Sequence, residues 1–400
     1  MTDTLRLSDL TTVIARGISP KYTDVDGVIV LNQRCIRDQT ISYENHRRND
    51  LELRNVSSQK SLKPLDILVN STGVGTLGRV AQITSLAEPK MTVDSHVTIV
   101  RPDPERISPR FLGFVVRGNQ KVIEAMAEGA TGQTELSRTR LGELPIYVPP
   151  LPTQQKIASI LSAYDDLIEN NNRRIQILEE MAQRIYREWF VHFRFPGHEN
   201  VKMVDSELGK IPEGWKVRKL GDVTRNFDSQ RVPLSSLIRA NARGLYPYYG
   251  AAKVLDFVED YLFEGEHLLF AEDGTVQTRE GYPVLQLVDD RFWANNHTHV
   301  LQAKDPLSTK FLYLQLLSIR ITPYITGSAQ PKITQTNLNR IPILIPDQVT
   351  LGKIEQHIHA IFSLINRLNV RNASLRRTRD LLLPRLISGK LDVEDLDIAV

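Results

Sequence analysis

The chain has 400 residues, 41% of them hydrophobic and 24% charged, with a formal net charge of +3; this is a globular composition with room for two or three domains, which excludes disorder and permits nucleic-acid binding without arguing for it. A single cysteine, Cys35, excludes a disulfide framework or a cysteine-based zinc site within one chain and suits a reducing compartment. No apolar run reaches membrane-spanning length and the opening MTDTLRLSDL lacks the basic-then-apolar pattern of a signal peptide, so the expected location is the cytoplasm, with no membrane partner.

Residues 1–150 are rich in short β-like runs, at 27–31, 66–69, 78–83, 93–100 and 144–148. One stretch, 109–127, has helical spacing through Phe111, Phe114, Val115 and Ile123, so the domain reads α+β. The string STGVGTLG at 71–78 carries three glycines, but it runs into a β-like segment rather than a helix. A glycine-rich hairpin is therefore predicted in place of a dinucleotide loop. Asn70, Thr72 and Arg79 flank it, and the polar stretch EGATGQTELSRTR at 128–140 adds Thr131, Gln133 and Arg138. Asn, Gln and Arg read base edges and Ser, Thr and Lys hold phosphates, so these six are candidate DNA contacts.

Residues 151–195 form a helix pattern free of interior Pro and Gly. Steps of four and three from Ile157 land on Leu161, Tyr164, Ile168, Asn171, Ile175, Leu178, Ala182, Ile185 and Trp189, a heptad seam with one polar position. At 1.5 Å per residue these 45 residues would make a rod roughly 68 Å long. It must find a partner.

A punctuated linker and second domain occupy residues 196–346, opening with SELGKIPEGWKVRKLGDV at 206–223. LLFAEDGTVQTR at 268–279 is the counterpart of the first hairpin and offers Glu272, Thr275 and Gln277. TGSAQPKITQTN at 326–337 is the counterpart polar loop and offers Ser328, Gln330 and Lys332. His297 and His299 in NNHTHV have no accompanying carboxylate or cysteine cluster, which favours structural or DNA-contacting roles over metal ligation.

The last part, 347–400, repeats the rod at a constant offset of 197: Ile354, Ile358, Ile361, Ile365, Leu368, Asn372, Leu375, Arg379, Leu382 and Leu386, followed by an acidic tail. Thr139, Leu141, Pro145, Ile146 and Pro149 recur as Thr336, Leu338, Pro342, Ile343 and Pro346, so the whole chain is a duplicated unit of domain plus helix. Two such units can close in a pseudo-twofold repeat. An antiparallel coiled coil with matched ends sets Ile157 against Leu386, Ile168 against Leu375 and Asn171 against Asn372, where a buried Asn pair would fix the register. Two independent amphipathic helices, each on its own domain, are the alternative.

Catalytic signatures fail: there is no N-P-P-[FY] loop of amino-group methyltransferases and no G-x-x-x-x-G-K-[ST] loop. The leading expectation is a non-catalytic DNA-recognition module, against a stand-alone methyltransferase or nuclease and a purely protein-binding scaffold.

The strings LPTQQKIASIL, REWFVHFRFPG, LGKIPEGWKVRKLGDV and LLLPRLISGKLDV, with the domain–helix–domain–helix order, resemble the specificity subunits of type I restriction-modification systems. The resemblance covers nearly the whole chain, although the first domain begins at Leu5 without the opening found at Gly214 and Trp215. It implies two target-recognition domains reading a bipartite double-stranded DNA sequence with an unspecific spacer. It also implies two methyltransferase subunits as partners, with two restriction subunits where these exist. S-adenosylmethionine, ATP and Mg are expected on those partners and no cofactor or metal on this chain.

Overall fold

The computed structural model describes residues 3–129, 134–327 and 330–398. Contacts divide the chain into two compact units, Met1–Asn171 with Val370–Val400, and Asn172–Asn369. The expected boundaries at the ends of the helices are not where the units part. Both long helices, Leu151–Phe190 and Gln348–Ile387, are split between them, because each half-helix buries its seam within its own unit.

In the first unit, Asp3–Arg6 pairs antiparallel with Pro145–Val148. An antiparallel sheet follows in the order Thr11–Arg16, Val97–Pro102, Ile67–Asn70, Val80–Gln82. A second sheet holds Met91–Val93, Val28–Leu31, Arg47–Asn49 and Tyr22–Thr23. The strand Ile67–Asn70 is buried throughout because it lies between two cores. Alternate side chains point to opposite faces. Thus Ile67 and Val69 join the cluster around Phe111, Ile157 and Leu386, while Leu68 joins the one around Leu31 and Val93.

The second unit repeats this connectivity. Lys216–Lys219 pairs with Pro342–Ile345. The main sheet runs Thr224–Asn226, Thr298–Ala303, Glu266–Ala271, Leu285–Asp289. Leu268 and Phe270 face the cluster that includes Phe311 and Ile354, and Leu269 faces the smaller one around Phe292. The α+β duplication read in the sequence is therefore a duplication of strand order and of core alternation.

The helix halves run antiparallel in both units. In the first, Asn171 Nδ2 donates to Asn372 Oδ1 at 2.9 Å, both residues buried. In the second, Ile175, Leu178, Ala182 and Ile185 share a core with Ile354, Ile358, Ile361 and Ile365, and Trp189 meets His357 edge-on. The reading as two independent helices is overturned by these contacts.

Several expected bounds move for identifiable reasons. The first long helix ends at Phe190, not 195, because Phe193 adopts a left-handed φ of 56° and turns the chain back. Phe190, Phe193 and Phe195 then pack around Trp215, whose Nε1 donates to Asp347 Oδ2 at 3.1 Å, beside the start of the second long helix. The helix expected over 109–127 breaks at Asn119, whose side-chain amide donates to Val115 O. The strand expected over 93–100 is interrupted where Asp94 Oδ1 accepts from His96 N, an Asx turn. Among the described residues, no helix is long and apolar enough to cross a membrane.

Candidate nucleic-acid interface

In the first unit the glycine string is a hairpin turn between Ile67–Asn70 and Val80–Gln82. Gly73, Gly75 and Gly78 have φ values of 107°, 70° and 80°, which L side chains adopt only under strain. Val74 at its tip is 89% exposed. The hairpin base is fixed from inside by Asn70, whose Nδ2 donates to the carbonyls of Gln33 and Thr76 at 3.0 Å each. Asn70 is fully buried, so it cannot reach a base edge; its place as a DNA contact is corrected to that of a strut. Arg79 closes the turn by donating to Gly75 O at 2.8 Å, and Thr72 Oγ1 meets His96 Nδ1 at 2.7 Å.

The polar loop docks on this hairpin. Leu136 N donates to Ser71 O at 2.9 Å, and the backbones of Glu128 and Glu135 pair in both directions. Arg16 Nη2 donates to Leu136 O at 3.0 Å and meets Glu135 at 2.6 Å. Arg138 is exposed at the first turn of Arg138–Gly142, with no ion pair or hydrogen bond from its side chain among the described residues. Thr131 and Gln133 lie outside the described residues.

The second unit makes the same join. Ile333 N donates to Glu272 O at 2.9 Å and the backbones of Thr326 and Lys332 pair in both directions at 2.8 Å. Thr275 is exposed beside Gly274, and Gln277 Oε1 accepts from Thr322 Oγ1 at 2.9 Å. Gln330 is exposed, and Gly327 is needed next to it, since a Cβ there would come within 2.4 Å of Gln330 O. Ser328 lies outside the described residues. Lys332, expected as a free phosphate contact, sits 3.1 Å from Glu272 in an ion pair, although nearly half exposed.

Beneath this loop lies a network that the sequence did not announce. Asp228, Glu272 and His299 bring ligand atoms within 4.8 Å of one another, a donor set of the kind that holds a metal. Arg231 already serves the two acids: its guanidinium is 2.7 Å from Glu272 and 3.6 Å from Asp228. His299 is buried, with Nδ1 2.5 Å from Asp228 and Nε2 2.9 Å from Ile333 O, so neither nitrogen is open to a metal and its role is structural. Burial works to raise the Asp228 carboxyl, but His299, the Val300 amide and Arg231 outweigh it and hold it below the usual range. Burial likewise opposes, and Arg231, His299 and Lys332 overcome, for Glu272.

Sequence reasoning paired hairpin with loop by their recurrence and missed the residues beneath them: Arg16 in one unit, and Asp228 and Arg231 in the other. Their contacts span long separations, Arg16 with Leu136 and Asp228 with His299, which periodicity and local motifs do not encode. His96 was also missed, although Asp-Ser-His and Asn-Asn-His precede equivalent strands. Chemically, each unit presents an exposed, glycine-hinged hairpin and a polar loop on a rigid sheet. The one hydroxyl–imidazole pair at the first hairpin, Thr72 with His96, has no carboxylate on its imidazole among the described residues, and the donors on both loops suit recognition.

A model of the type I restriction modification DNA specificity domain family matches residues 7–180 and 212–371. Over 365 residues the chain is 27% identical to the type I restriction enzyme MjaIX specificity subunit of Methanocaldococcus jannaschii, covering 86% of this chain and 83% of that one. Over 406 residues it is 22% identical to the type I restriction enzyme HindI specificity subunit of Haemophilus influenzae, covering 84% and 88%. Among solved structures, the type-I restriction-modification system S subunit from M. genitalium aligns over 98% of this chain and 97% of its own with a TM-score of 0.53 at 16% identity, a likeness of fold.

Proposed function

Because the chain belongs to the type I restriction modification DNA specificity family, we propose that it is the non-catalytic recognition subunit of such a complex and reads a bipartite DNA target, one half-site with each unit. The observation that carries this reading is the repeated join of hairpin and polar loop: the backbone bond from Leu136 to Ser71 recurs as Ile333 to Glu272, while the side chains around it differ. A common frame with different exposed donors is what two different half-sites require. The unspecific spacer follows if no reading loop faces the bases between the half-sites. Two methyltransferase subunits carrying S-adenosylmethionine, and two restriction subunits using ATP and Mg where present, supply the chemistry in this reading.

The test is methylation mapping with the complex reconstituted from this chain and its methyltransferase partner. Gln330→Ala should relax or shift one half-site only, and Arg138→Ala the other, with about 1–3 kcal/mol lost per base-edge contact. Simultaneous loss of both half-sites from either change, with the protein folded, would refute independent reading.

A further inference from the structure

A histidine stands at one equivalent place in both units, held by the same three bonds. Its backbone amide is capped in an Asx turn, His96 N on Asp94 Oδ1 and His297 N on Asn295 Oδ1, each at 2.9 Å. Its carbonyl accepts from the first hairpin residue, Ser71 N to His96 O and Glu272 N to His297 O, again 2.9 Å each. Its Nδ1 faces the second hairpin residue, Thr72 Oγ1 at 2.7 Å in one unit and the Asp273 carboxylate at 2.7 Å in the other. Both rings are exposed, and Nε2 makes no hydrogen bond among the described residues in either unit.

We propose that His96 and His297 are contacts to the DNA backbone, each presenting Nε2–H to a phosphate beside the reading loop; this rests on the DNA reading above. The argument is one of symmetry. Loop side chains differ between the units, as reading two sequences requires, whereas an imidazole set at the same place by the same two backbone bonds in both serves a feature common to all DNA, the phosphate. The ring partner suits this. The Thr72 hydroxyl can donate to Nδ1 and leave the proton on Nε2, and a phosphate on the far side of His297 completes a carboxylate–imidazolium–phosphate line with Asp273.

Two substitutions separate this from a purely structural role. Asparagine places a polar atom near Nδ1 and keeps the hairpin bond but not the reach; glutamine places one near Nε2 and keeps the reach but not the hairpin bond. Binding of the complex with its methyltransferase partner is measured at one fixed salt concentration, on a duplex bearing the mapped target and on an unrelated duplex. His96→Asn and His297→Asn should each weaken both duplexes by a similar factor, about ten- to a hundredfold, and His→Gln should restore a substantial part. Asparagine variants that bind as wild type while glutamine variants fail would overturn the inference, the histidine then only propping the hairpin. Loss confined to the target duplex would overturn it too, by making the contact a base contact. A folded wild-type complex that binds neither duplex would overturn the DNA reading itself, and this inference with it.

Discussion

The first domain packs on the long helices through an apolar core, and one carboxylate, Asp165, adds a charged tie to that packing. Asp165 accepts from Arg117 Nη1 at 2.7 Å and from Arg379 Nη1 at 2.6 Å, joining the helix Pro109–Gly118 to both long helices within the first unit. The Arg117 and Arg379 side chains are 9% and 11% exposed, and Asp165 is 28% exposed. With Asp165→Ala, Arg379 keeps Asp380 but Arg117 keeps only the Gln39 side-chain oxygen. Breaking a buried pair from one side destabilises by about 3–5 kcal/mol, and the partial exposure of Asp165 points to the lower end. Burial opposes ionisation of Asp165, but the two guanidinium groups overcome it and hold the carboxyl below its usual range. Its contribution is therefore complete above the unfolded carboxylate value of about 3.9 and is lost as pH falls through the lower folded value. All three tryptophans, Trp189, Trp215 and Trp293, lie in the second unit, so tryptophan fluorescence is blind to this loss. Hydrogen exchange of the helix Pro109–Gly118 reports it: Asp165→Ala should speed exchange markedly at pH 7, with a gap from wild type that narrows below about pH 4. The triple change Arg117→Met, Asp165→Leu, Arg379→Met should come within about 1 kcal/mol of wild type or exceed it. A triple variant as damaged as the single one would refute the reasoning, since the loss would then lie in packing and not in unpaired charge.

Asn171→Leu should destabilise the first unit by about 1–2 kcal/mol, because it breaks the buried Asn171–Asn372 bond and sets an apolar side chain against an amide, while Asn171→Leu with Asn372→Leu should recover that loss in urea unfolding followed by circular dichroism. Asn70→Ala should lower the melting temperature, because the Gln33 carbonyl loses its donor while the Thr76 carbonyl keeps Arg79 N, a loss of about 1–2 kcal/mol, and a variant that melts as wild type but binds DNA poorly would return Asn70 to the interface. The depressed carboxyls of Asp228 and Glu272 predict that the second unit loses stability as pH falls below about 4, read by tryptophan fluorescence, and that Glu272→Gln flattens that dependence.

Periodic features of this fold were legible in the sequence because they repeat over many residues: the seam, the Asn171 and Asn372 register, the duplicated order, and the hairpin with its loop. What the sequence hid depends on burial or on pairing across distance. Asn70 has the composition of a reader and the position of a strut, and only the two carbonyls it serves distinguish them. Residues 191–195 continue the helical composition, but Phe193 and Phe195 gain more by closing on Trp215 than by extending an exposed helix. The same contact explains why the Gly214-Trp215 opening belongs to the second domain: Trp215 ties that domain to Asp347 at the helix start, and no tryptophan exists in the first unit to do likewise.

The two halves share a frame and differ in what supports the reading loop. In the first unit the loop carbonyl of Leu136 is taken by Arg16, which pairs with Glu135, and beneath it the uncharged Ser71 and Thr98 hydroxyls pair at 2.5 Å. In the second unit the equivalent carbonyl, Ile333 O, is taken by His299, and Glu272 draws in both Arg231 and Lys332. The little-exposed Glu272 carboxylate is balanced there by those cations, and the Lys332 ammonium is drawn to it from a backbone already pinned by Thr326. Loop and floor are thus a matched set within each unit. A change at Gln330 alters only an exposed side chain, whereas a change of Lys332 also uncovers Glu272, the partner of Arg231. Under the proposed reading, exposed positions such as Gln330 can change without disturbing the floor, while the residues that meet the floor are constrained by electrostatics.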